Sequence, residues 1–124
     1  MGWEGQERRR FPRAIFPCRV AVGSPIRWLA SHTEDIGAGG VKVILEERLP
    51  LCTPVSVELF FEKDKSIKCK GKIVWVEEEL NPLDMNSEPL MFVTGIGFTE
   101  IKDHDKEYIE RLVRVVSILR KKMK

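Results

Sequence analysis

A chain of 124 residues with 43% hydrophobic residues can bury one sizeable core, and no second domain is expected in it. Lys+Arg 21 against Asp+Glu 19 leaves a formal charge of +2, which excludes a domain-wide positive field for bulk DNA or RNA. Residues 1–13 lack apolar periodicity and hold the cluster Arg8-Arg9-Arg10-Phe11-Pro12-Arg13, so they read as a flexible arginine-rich arm. A first strand is predicted over Ala14–Val22, and Gly23-Ser24-Pro25 turns the chain into a second over Ile26–Thr33. An acidic, glycine-rich turn follows at Glu34–Gly40, then a short strand Val41–Leu45 and a break at Leu49–Pro54.

Val55, Val57, Leu59 and Phe61 alternate with polar residues, the pattern of a half-buried strand. Ile67, Cys69, Gly71, Ile73 and Trp75 interleave with Lys68, Lys70 and Lys72, which sets Trp75 in an inward apolar row and the lysines on a solvated face. Leu80–Pro89 is rich in turn formers and reads as a loop joining two antiparallel strands. In Leu90–Thr99, Phe92, Thr94, Ile96 and Phe98 share one face, with Gly95 and Gly97 on the other, where something bulky packs or the strand bends. From Asp103 the period becomes 3.6: Tyr108, Ile109, Leu112, Val113, Val116 and Leu119 form an apolar stripe over a helix at about 103–122, with Asp103 placed to cap it. Its basic end suits the negative pole of the helix dipole. Six short strands and one terminal helix predict an all-β fold, a small antiparallel barrel or closed Greek-key sheet capped by the helix.

The three cysteines, Cys18, Cys52 and Cys69, show no CxxC spacing, and only His32 and His104 accompany them. Neither a metal site nor a disulfide framework is expected, and Cys69 reads as a buried free thiol. Apolar runs fall well short of the roughly 20 residues of a membrane helix, and the N-terminus has no signal-peptide stretch. The expectation is a cytoplasmic protein without membrane insertion. No phosphate loop, GxSxG elbow or HExxH motif occurs, and Ser31, His32 and Asp35 alternate faces along a strand, so no enzyme is expected.

Two clusters remain. In an extended arm, guanidinium forks flank Phe11 and are stiffened by Pro12, which suits phosphates and guanine edges. Asp35-Ile36-Gly37-Ala38-Gly39-Gly40 sets a carboxylate beside backbone N–H groups that a ligand can approach closely. Taken singly, each also reads as an ordinary solvated tail or tight turn.

Their joint spacing, Arg9-x-x-x-Arg13 followed by Asp35-x-Gly37-x-x-Gly40, resembles the paired signature of the PilZ domain family. Neither Arg8 nor Arg10 has an arginine four residues on, so the register is unique. The resemblance extends from the arm through Val41-Lys42-Val43 and Gly95-Ile96-Gly97-Phe98 to the C-terminal helix. It implies a six-stranded antiparallel β-barrel with one C-terminal helix that binds cyclic di-GMP and uses no further cofactor. Arg9 and Arg13 would then grip guanines and phosphates, Asp35 with Gly37 and Gly40 would meet a guanine edge and a phosphate, and Arg8 would add a contact. The family's usual serine in the second motif is Gly37 here, a lost hydroxyl contact of about 0.5–1.5 kcal/mol.

The expected function is a cyclic di-GMP receptor that orders its arm on the ligand and signals through an unidentified protein partner, as a monomer or homodimer. The alternative is a degenerate adaptor that binds no nucleotide and acts by protein contacts alone. Nonspecific DNA or RNA binding through Arg8–Arg13 and the basic C-terminus is disfavoured by the balanced charge and by the lack of an exposed aromatic series.

Overall fold

In the computed structural model, which describes residues 13–61, 64–79 and 91–122, Pro17 divides the first predicted strand in two. β1 spans Arg13–Ile15 and β2 spans Arg19–Gly23, because a residue without an N–H cannot carry the ladder through Phe16-Pro17-Cys18. Both pieces run antiparallel along the same strand, β3 (Trp28–Gly37). The buried Thr33 of β3 closes the gap: its hydroxyl accepts from the Cys18 N–H at 3.0 Å and donates to the Phe16 carbonyl at 2.6 Å. Arg13 therefore belongs to the sheet, not to the arm.

The remaining strands are β4 (Gly40–Leu45), β5 (Pro54–Phe60), β6 (Ser66–Glu79) and β7 (Met91–Glu100). The ladder runs β1/β2–β3 on one side, β2–β5–β6–β7–β4, and closes from β4 back to β3. With β1 and β2 as two halves of one strand, this is a closed six-stranded antiparallel barrel, as expected. Closure leaves most of the sheet without an exposed edge. The predicted loop Leu80–Pro89 lies outside the described residues, but β6 and β7 do pair antiparallel.

Alternation decides the core. Val55, Val57 and Leu59 of β5 and Ile67, Cys69 and Ile73 of β6 point inward and are all at most 8% exposed. Each buried aliphatic side chain is worth about 1.5–3 kcal/mol relative to exposure. Cys69 is the small apolar thiol its pattern predicted, and burial, with Asp105 nearby, pushes its pKa up to about 12.

The helix α1 spans Asp103–Lys122 and plugs the barrel with Ile109 and Val113, both buried, and with the partly buried Tyr108 and Val116. The first intrahelical bonds reach the Lys102 carbonyl, from the N–H groups of Asp105 and Lys106, so Asp103 lies in the first turn, not at the cap. Leu119 departs from the predicted stripe: it is 55% exposed, although the last turn still touches β1 through Arg120 and the Ile15 carbonyl.

Candidate functional site

The second predicted motif is less of a loop than its glycines suggest. β3 continues to Gly37, Gly37 pairs with Gly40, and only Ala38 and Gly39 form the turn. A register shift against β4 between Thr33 and Asp35 inserts an extra residue, so Thr33 and Ile36 both face the core. That bulge turns Asp35 outward from a rigid strand.

β1 brings Arg13 to the same place, because Arg13 pairs with Gly37 and Ile15 with Asp35. The Arg13 Nε and Nη2 groups donate to Asp35 Oδ1 at 2.8 and 2.5 Å. The Arg13 side chain is 41% exposed, so the pair contributes at most about 1 kcal/mol to stability. Its consequence is orientation: the carboxylate holds the guanidinium plane at the lip of a hollow of about 520 Å³.

Asp35, Gly39, Gly40, Lys42, Val74, Trp75, Gly95 and Gly97 line that hollow together with Arg13. Gly40 is required here for space: a Cβ on it would run into the Ile96 carbonyl of β7. None of the described glycines has positive φ, so close approach and not backbone handedness explains the motif. Lys42 sits 3.5 Å from Glu34, which leaves it near the hollow as a part-screened cation.

Trp75 is the main correction. The alternation of β6 predicts it inward, but the register against β7 shifts between Ile73 and Trp75, with Val74 as the extra residue. Trp75 then pairs with Gly95 on the outer face, and a Cβ at Gly95 would collide with the indole ring. Of the two expectations for Gly95, a bulky neighbour or a bend, the first is met, and the bulky group is Trp75. The signal was present in Ile73-Val74-Trp75-Val76, four apolar residues in a row that break a period of two. Val76 returns to pack against the core.

The sequence motifs thus place Arg13, Asp35, Gly37 and Gly40 within one hairpin and its neighbour, while Trp75 and Lys42 were missed as members. Arg8 and Arg9 lie outside the described residues. Trp28, by contrast, sits 60% exposed at the start of β3, away from the hollow, and His32 is exposed on the same strand. Among the described residues no group of three His, Cys, Asp or Glu side chains is placed to share a metal ion. No described helix is long and apolar enough to cross a membrane. The chemistry on offer is recognition: a fixed guanidinium fork, a carboxylate acceptor, backbone groups at glycines and an aromatic face.

Solved structures share this architecture. The chain is similar to the inhibitor of motility MotI/DgrA of Bacillus subtilis (TM-score 0.74, 13% identity), covering 89% of this chain and 51% of that one. It is similar to YcgR of Escherichia coli in complex with c-di-GMP (TM-score 0.73, 12% identity), covering 94% of this chain and 49% of that one. The isolated PilZ domain of YcgR with c-di-GMP matches at TM-score 0.69 and 14% identity over 94% of this chain and 96% of that domain. The chain thus spans about half the length of the first two proteins and nearly all of the isolated domain. At these identities the likeness shows the fold. No curated protein sequence matches the chain. The PilZ domain profile matches residues 7–115, and the chain belongs to the PilZ domain family.

Proposed function

We propose that this chain is a receptor for cyclic di-GMP, a non-catalytic module whose ligand is read out by another protein. The observation that carries the reading is the Arg13–Asp35 pair at the lip of a hollow walled by Trp75 and glycines. A guanine presents two acceptors on one edge and N–H donors on another, so it can meet a guanidinium fork and a carboxylate at once. Arg13 takes a guanine edge or a phosphate, and Asp35 accepts from the guanine donor edge. The Gly37–Gly40 hairpin lets backbone reach the ligand, and the Trp75 ring offers a stacking face of the kind worth about 1–3 kcal/mol per base.

Arg8 and Arg9 complete the motif from the arm, which orders on the ligand as its charges meet the phosphates. The structures of YcgR with c-di-GMP support the ligand class. The three free thiols support a reducing, cytoplasmic setting.

Calorimetric titration of cyclic di-GMP into the intact chain and into Arg9→Ala/Arg13→Ala, with cyclic di-AMP as control, tests the reading. Saturable, guanine-selective binding that the double variant loses is the expected result. No binding to the intact chain at high protein concentration, confirmed by a second method, overturns it. The replacement of the family serine by Gly37 favours one other reading, an adaptor that has lost the nucleotide, and that outcome would support it.

A further inference from the structure

The last half of α1 carries a second apolar face that the barrel does not use. Val115, Ile118 and Leu119 follow the i, i+3, i+4 spacing of one helix face and are 53%, 48% and 55% exposed. Ile15, 62% exposed, lies beside the last turn, where the Arg120 guanidinium donates to its carbonyl at 2.5 Å. A row of three exposed aliphatic side chains on one helix face is a candidate interaction site. The core stripe of Ile109, Val113 and Val116 is already satisfied, so this face is not a remnant of core packing.

Charge around the face says what covers it. The carboxylates of α1, Asp103, Asp105, Glu107 and Glu110, all precede Arg111. From there the charged side chains are cationic: Arg111, Arg114, Arg120 and Lys121. A second copy docked by a twofold over the patch, with Val115 opposite Leu119, sets Arg114 against Arg120 and brings two basic halves together. Like charges at facing positions oppose that arrangement. The half also lacks the aromatic residues that seat an amphipathic helix in a lipid interface.

We propose that this face is a docking surface for an acidic amphipathic helix of a partner protein, with apolar residues seated on Val115, Ile118 and Leu119 and flanking carboxylates paired with Arg111 and Arg114. Three aliphatic anchors make a contact well below the standard interface size of about 800 Å² per partner, which belongs with weak, transient contacts. Val115, Ile118 and Leu119 do not line the nucleotide hollow, and the test stands whether or not the chain binds cyclic di-GMP.

The probe is a capped peptide of about two heptads with leucine at a and d and glutamate elsewhere, titrated into the intact chain and followed by amide chemical shifts. Its partner control replaces glutamate by lysine. Saturable shifts centred on residues 111–121, weakened more than tenfold by Leu119→Ser and by Arg111→Glu/Arg114→Glu, are expected; these positions are exposed, and circular dichroism checks that the fold is kept. Equal binding of both peptides, or of neither, overturns the proposal. So does self-association abolished by Leu119→Ser, or co-sedimentation with vesicles of phosphatidylcholine and phosphatidylglycerol through this face.

Discussion

The β5–β6 hairpin and the strands around the hollow are built from the same residue types but differ in register. From Pro54↔Lys72 to Phe60↔Ser66 the hairpin pairs without a shift, and every second residue is buried. Around the hollow the register shifts on β3 against β4 and on β6 against β7, and there Asp35 and Trp75 face outward. An unbroken ladder can only sort residues into inside and outside. A bulge re-aims a side chain without adding a loop, so a polar or aromatic group gains a rigid outward position. Both halves bury side chains in the core, Ile36, Val41 and Ile96 as fully as Val57 and Leu59, but only the shifted half also aims residues at the candidate site.

Breaking the regular half gives the largest effect. Leu59 is fully buried, and Leu59→Ala removes its transfer energy and leaves a cavity, so about 2–5 kcal/mol of stability should be lost. Urea denaturation reads this as a lower midpoint. On the proposed function, the folded fraction binds cyclic di-GMP as the parent does, since Leu59 lies on β5, which pairs with neither β1 nor β3. A loss of affinity with little loss of stability would refute the division.

The opposite change sharpens it. Trp75→Ala removes a partly buried ring that packs on Gly95, and the expected loss is in binding, about 1–3 kcal/mol or roughly 5- to 150-fold in Kd, with a smaller change in the urea midpoint. Gly95→Val is the companion: its side chain collides with the indole and must displace it, so it should shift tryptophan emission and weaken binding while leaving the ring in the chain. If both variants bind like the parent, Trp75 is only a cover for the strand.

The same division explains what could be read from the residues alone. Where β5 and β6 pair without a shift, Val55–Leu59 and Ile67–Ile73 announced their faces by alternation, and the period change at Asp103 announced the helix. The motif spacing brought Arg13, Asp35, Gly37 and Gly40 together. Trp75 was misplaced because the apolar run Ile73–Val76 marks that the period of two breaks but not at which residue, and that depends on β7, which is distant in sequence. The break at Pro17 was missed for a related reason: its closure rests on Thr33, a hydroxyl from another strand. Leu119 kept the helical period but the barrel leaves it uncovered, and no single segment encodes which helical positions the strands will cover.

The smallest effect tests the regular half by pH. Cys69 sits in an unshifted stretch of β6, and burial raises its pKa from 9.0 to about 12. The folded state therefore holds the proton that the unfolded chain releases first. Stability from this group is fully present below pH 9 and is lost as pH rises from there toward 12. At one pH unit above the unfolded value the loss is about 1.4 kcal/mol. Other groups titrate in the same range, so the measurement is the difference between the parent and Cys69→Ala in urea midpoints at neutral pH and at pH near 10. The gap between them should narrow as pH rises. A gap that stays constant would mean the thiol meets water in the folded barrel, and the regular half would then be less tightly closed around Cys69 than its alternation implies.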